Sequence, residues 1–166
     1  MRRLSVVATF AFITGCASRD EPLRFDDTAT MLNVFDPRAD KQLTKCFFPT
    51  FAQGRWTSRT FSATLKPPST AARKGAVLLL RFGIPGTSID VLHSIQVSAV
   101  VNGVRLEPEK YVKAGEFDYV RDVPAAAFRE AGNATVDFAL DKALPPNATE
   151  HRELGVVANT IGFEAK

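Results

Sequence analysis

A period of two is the feature that most constrains this chain. Ile95, Val97, Ala99 and Val101 alternate with the polar Gln96 and Ser98, so an extended strand buries one set and exposes the other. Asn102-Gly103 follows, and both residues tolerate the positive φ of a type I′ turn, after which Val104-Arg105-Leu106 returns as a partner strand. Phe61, Ala63 and Leu65 alternate with Ser62, Thr64 and Lys66 until Pro67-Pro68. Val136, Phe138 and Leu140 repeat the pattern. Gly75 to Phe82 is apolar on both faces until Arg81, as in a central strand, and Pro85-Gly86 ends it. Met31 to Phe35, Tyr111-Val112, Glu116 to Val120 and Leu154 to Phe163 supply further strand material. Pro124 to Ala131 is the one helical segment expected, with proline in its first turn and Gly132 as a cap.

Short strands separated by turn residues, with no strand–helix–strand alternation, predict an all-β fold. Thirteen phenylalanines suit a core filled from two facing sheets. The expectation is an antiparallel β-sandwich, jelly-roll-like, of about eight strands with one short helix.

The N-terminus has a different logic. Arg2 and Arg3 precede the apolar run Leu4 to Ile13, which is too short for the roughly 20 apolar residues that span a bilayer. Ile13-Thr14-Gly15-Cys16 resembles a lipobox, in which small residues admit a peptidase and the cysteine thiol accepts lipid. Three segments are therefore expected: a lipoprotein signal peptide over residues 1–15, an acylated Cys16 with a polar tether to residue 40, and a β-sandwich over residues 41–166. The competing reading is an ordinary secretory signal whose cleavage region contains a cysteine. Acyl chains on Cys16 would make membrane lipid a partner. Ala17-Ser18 lacks the aspartate of an inner-membrane retention signal, which points to the outer membrane of a two-membrane bacterial envelope.

Signal removal also changes the charge. Of 21 basic residues against 18 acidic ones, Arg2 and Arg3 leave with the signal, so the mature chain carries 19 against 18. With no Lys/Arg cluster, nucleic acid is not expected as a partner. Acylation of Cys16 would leave Cys46, beside Phe47 and Phe48, as a buried thiol with no intrachain disulfide partner.

Three residues stand out as a ligand site: Arg55, Trp56 and Arg152. A sugar ring could stack on the Trp56 indole while the arginines bond its hydroxyls. Alternatively, Trp56 packs at the edge of the core beside solvated arginines. His93 and His151 have no metal-ligating neighbours at useful spacing. Asp26-Asp27 and Asp36 with Asp40 offer oxygen ligands but match no calcium loop. Neither Ser-x-x-Lys nor Gly-x-Ser-x-Gly occurs, so no catalytic residue, metal or cofactor is assigned.

Arg55-Trp56-Thr57, Val101-Asn102-Gly103, Val123-Pro124-Ala125 and Arg152-Glu153-Leu154-Gly155 occur in an order that resembles a group of bacterial β-sandwich modules. These are galactose-binding-type jelly rolls of envelope proteins and of chains that handle glycans. The chain departs from that pattern at Cys46 to Phe51, which lacks a glycine and a glutamate, and at Glu150-His151, where an aspartate is usual. The resemblance implies a non-catalytic binding module for carbohydrate or an envelope polymer. The alternative is an assembly lipoprotein that binds another envelope protein, with a small hydrolase a more distant third.

Overall fold

The computed structural model describes residues 28–51, 54–128 and 132–166. Ten strands form in chain order: β1 (Met31–Asn33), β2 (Leu43–Phe51), β3 (Gly54–Leu65), β4 (Ala76–Ile84), β5 (Ile95–Val101), β6 (Val104–Arg105), β7 (Glu109–Tyr111), β8 (Gly115–Val123), β9 (Ala134–Leu140) and β10 (Val157–Ala165). Every strand pairing is antiparallel. The expected all-β sandwich is the observed architecture, with ten strands among the described residues rather than eight.

One long strand makes two layers out of this sheet. The C-terminal half of β3, Thr60 to Leu65, pairs with β9, and β9 pairs with β5, which carries β6 and β7. Its N-terminal residues Arg55 and Trp56 pair instead with β10, and β10 continues to β4 and β8. Further along β10, β1 takes the place that β3 has left. The inward residues of both layers form one apolar cluster. Phe61 stacks on Phe138 with centroids 4.9 Å apart, and Phe128 meets Phe163 edge-on at 5.3 Å. Phe82 of β4 reaches Tyr111 of β7 at 5.1 Å, closing the layers on each other. Each buried phenylalanine contributes about 1.5–3 kcal/mol relative to exposure.

The predicted hairpin forms as read. Asn102 and Gly103 have φ of 45° and 84°, and the Asn102 amide donates to the Ala127 carbonyl while accepting from the Thr135 N–H. The apolar segment expected to be central is β4, which is interior but one strand from the edge, between β10 and β8, and is apolar on both faces through Leu80.

Three expectations need correction. The helix placed over Pro124 to Ala131 is a 3₁₀ turn over Ala125–Phe128, with residues 129–131 outside the described set. Two unpredicted helices, α1 (Ala71–Lys74) and α2 (Gly86–Leu92), are too short to show a helical period. The sandwich also begins before residue 41. Leu32, Val34 and Ala39 are buried, and the buried Gln42 amide exchanges hydrogen bonds with the Ala29 backbone. The segment expected as a polar tether from Cys16 to Asp40 is thus, from Thr28 onward, packed into the domain.

The expected signal peptide and Cys16 lie outside the described residues. No helix among the described residues is long and apolar enough to cross a membrane. Cys46 is a buried thiol with φ of 57°, at one of the register shifts that break the alternation of β2.

Candidate functional site on the outer face of the second layer

Alternation along β3 separates Arg55 from Trp56. Thr57 is fully buried, and its backbone and hydroxyl bond to Val156, so Arg55 shares its side of the strand. There the Arg55 guanidinium donates to the Val34 carbonyl at 2.6 Å and to Asp40 at 2.5 Å. With its side chain only 12% exposed, Arg55 fastens the end of β1 and the 3₁₀ turn Pro37–Lys41 to β3. Trp56 faces the other way.

On that outer face the strand register builds a row. Trp56 lies opposite Val157 of β10, Val157 opposite Gly83 of β4, and Gly83 opposite Glu116 of β8. Their chain neighbours Ala158, Phe82 and Phe117 point into the core or pack against it, which fixes the row as outward. The row continues past Trp56 onto β2. Phe47 packs edge-on against Phe61 and pairs with Thr57, so Phe48 emerges on the Trp56 side. The Arg152 guanidinium sits over the Phe48 ring, 5.0 Å from its centroid. Glu150 holds Arg152 there through two hydrogen bonds of 2.7 and 2.6 Å. These bonds pull the Glu150 carboxyl down to about 2. Beside them Glu153 accepts from the Ser58 hydroxyl and the Arg59 N–H.

At the β8 end, two glycines allow polar side chains to lie flat. A Cβ on Gly83 would stand 2.6 Å from Glu116 Oε1, so the Glu116 side chain occupies the space above that glycine. It reaches across β4 to β10, where Asn159 Nδ2 donates to Glu116 Oε2 at 2.9 Å. Asn159 is the extra residue of a bulge between Ala158 and Thr160, and its Oδ1 stands 2.7 Å from where a Gly54 Cβ would be. Neither glycine has a positive φ; both serve close approach. The next row pairs Arg81 with Asp118 at 2.8 and 3.0 Å, and this ion pair lowers the Asp118 pKa.

The structure therefore brings Trp56 and Arg152 onto one surface around Phe48 and separates Arg55 from it. Sequence reading missed Phe48, Glu116 and Asn159. The Gly83 interruption of an apolar strand was the signal available for the last two. His93 caps α2 in a left-handed conformation, and His151 is exposed. Asp36 bonds Arg38, which lowers it to about 2, and Asp40 bonds Arg55. Among the described residues no three His, Cys, Asp or Glu side chains form a metal-binding group. A cavity of about 340 Å³ between β1 and the 3₁₀ turn is lined by Leu32, Asn33, Ala39 and Gln42, with Asp36 and Arg38 at its wall.

No protein-family model matches the chain, and no curated protein matches its sequence. Solved structures give a distant likeness. One is a carbohydrate-binding module, CBM36, in complex with calcium and xylotriose: 11% identity, TM-score 0.45, covering 81% of this chain and 99% of that one. Another is the CBM36-1 domain of a multidomain xylanase from the hindgut metagenome of Trinervitermes trinervoides, at 11% identity and TM-score 0.41, covering 82% of this chain and 98% of that one. A third is CBM51-2 of Clostridium perfringens ZmpB in complex with GlcNAc, at 12% identity and TM-score 0.38, covering 82% of this chain and 28% of that one.

Proposed function

We propose that this protein is a lipid-anchored, non-catalytic binding module of the bacterial cell envelope that grips carbohydrate on the outer face of its second layer. The observation that carries this reading is the outward row of Trp56 and Phe48, with Arg152 held over the phenyl ring. A sugar presents a CH face to an aromatic ring and hydroxyls at its rim. An indole that shares its face with a guanidinium held by Glu150 and with the flat-lying Asn159 amide and Glu116 carboxylate offers partners for both. A half-buried tryptophan on an open sheet face has no core to fill, so its apolar area is available to a ligand.

The proposed anchor is Cys16. Acylation there would tether the domain to the outer membrane through the residues between Cys16 and Thr28. Labelling growing cells with a radioactive or clickable palmitate tests it: label on the wild-type chain and none on C16A support the anchor, and equal labelling refutes it.

Trp56 is the only tryptophan, so its fluorescence reports on the site without interference. Titration with neutral oligosaccharides should shift the emission. W56A, followed calorimetrically, should weaken binding at least about thirtyfold, as loss of an interface hot spot of ~2 kcal/mol does. Unchanged affinity in W56A would refute the site.

A second reading draws on Met31 and Val120, which are 38% and 45% exposed on this same layer. Register aligns them across Gly162 and Leu79 as an apolar row, the kind of strip that binds another envelope protein. Crosslinking in native membranes with a photoreactive residue at Val120 distinguishes the readings by whether protein or glycan is captured.

A further inference from the structure

We infer that Glu116 and Asn159 form the polar end of the binding surface, and that they select a neutral, extended glycan laid across the strands. This rests on the carbohydrate reading of Trp56. It concerns residues that reading does not require, and it commits to a direction, a length and a charge class of ligand.

The direction follows from the row itself. Phe48, Trp56, Val157, Gly83 and Glu116 lie on five adjacent strands, β2, β3, β10, β4 and β8. Adjacent strands are about 4.8 Å apart, so the platform extends roughly 19 Å across the sheet, room for about four sugar rings in a line. Among the residues of the row itself nothing tall follows Trp56. Val157 is short, Gly83 has no side chain, and Glu116 lies down over Gly83 because that glycine lacks a Cβ. With valine at position 83 the carboxylate would be forced upright into the path of the chain. The bulge at Asn159 and the bare backbone at Gly54 keep the amide equally low.

The charge class follows from pairing. Arg152 is neutralised by Glu150, and Arg81 by Asp118. Glu116 accepts one side-chain hydrogen bond, from the neutral Asn159 amide, and its Oε1 over Gly83 keeps a lone pair for a ligand hydroxyl. Arg81, already bonded to Asp118, also feels the Glu116 charge, so these three groups together leave one net negative charge at the β8 end of the platform. A carboxylate accepting from hydroxyls favours a neutral sugar, whereas a uronate or sulfate there meets like charge. The two side chains hold each other: the amide fixes the carboxylate in the plane of the sheet, so it is positioned before the ligand arrives.

The test uses the full chain and Trp56 fluorescence, with neutral xylo-, cello- and N-acetylchito-oligosaccharides of two to six rings, and with oligogalacturonides of the same lengths. Affinity for one neutral series should rise up to about four rings and then level off, with oligogalacturonides at least tenfold weaker. E116Q keeps the shape and removes the charge. It should weaken the neutral tetramer about tenfold, the usual effect of losing one charge-assisted hydrogen bond, and narrow the gap to the acidic series. N159A should lose a similar factor, and G83V should cancel the gain beyond two rings, with circular dichroism confirming that each variant folds. If W56A abolishes binding while E116Q, N159A and G83V leave affinity and length dependence unchanged, the inference falls and the carbohydrate reading stands. If no neutral or acidic oligosaccharide binds the wild-type chain, both fall.

Discussion

Replacing Arg55 with methionine separates a structural arginine from a ligand-binding one. Methionine keeps most of the apolar stem and removes the guanidinium, so packing changes little while two hydrogen bonds vanish. One is the 2.6 Å bond to the Val34 carbonyl, at the end of β1. A hydrogen bond from a charged donor contributes about 1.5–3 kcal/mol, and a partly buried carbonyl left without it keeps most of that cost. The other is the ion pair with Asp40, whose side chain is 41% exposed. Solvent screens such a pair, so its share is discounted to about 0.5–1 kcal/mol. The sum is a loss of roughly 2–4 kcal/mol, which lowers the melting temperature by about 4–16 °C in a domain of this size. Thermal and urea unfolding followed by far-ultraviolet circular dichroism measure both quantities. D40N should cost only the smaller share, and the double variant R55M/D40N should be little worse than R55M. Glycan affinity of folded R55M should equal that of the wild type, because Arg55 lies on the opposite side of β3 from Trp56. A fully stable R55M that no longer binds would refute this account and place Arg55 at the ligand.

F61A should destabilise the domain by about 3–5 kcal/mol in urea unfolding, since Phe61 is fully buried and stacks on Phe138 where β3 turns between layers; a loss under about 1 kcal/mol would mean the core collapses around the gap. The acid behaviour of Glu150 follows from its pairing with Arg152, which depresses it from 4.5 to about 2. A carboxylate depressed on folding stabilises the native state above its unfolded pKa and loses that contribution as pH falls through the folded value. The Glu150 contribution is thus complete above about 4.5 and gone below about 2. Carboxyl-carbon NMR should show Glu150 titrating near the lower limit in the wild type and clearly higher in R152M, where the hydrogen bond from the residue 152 backbone N–H still lowers it. An unchanged midpoint in R152M would show that the ion pair does not form.

The local sequence determined the strands and the hairpin, because both are decided by interactions a few residues long. Alternation at Ile95 to Val101 can only be satisfied by a strand with one buried face, and Asn102-Gly103 is the cheapest backbone reversal available to it. The fully apolar Ala76 to Leu80 called for a strand flanked on both sides, which β4 is, although it lies one strand from the sheet edge rather than at its centre. β2 was harder to read because register shifts and the left-handed Cys46 break its period, and α2 because seven residues show no helical stripe. The same limit hid the role of residues 28–40: their polarity resembled a tether, while burial of Val34 and Ala39 depends on partners over a hundred residues away in β10 or on the distant Arg55.

The site divides along the same line. Sequence marked Trp56 and Arg152 by residue type, but it also marked Arg55; strand alternation already sets Arg55 and Trp56 on opposite sides, and only the fold shows that the Arg55 side is occupied by Asp40 and the Val34 carbonyl. Phe48 and Glu116 carry no local sign of function. They meet Trp56 only because β2, β10, β4 and β8 are laid side by side in one register, and register is set by the burial of every strand at once. The chain by itself determined that there would be a sandwich with an aromatic and basic side chain to spare. The packing of its layers decided which face they share, and what stands beside them.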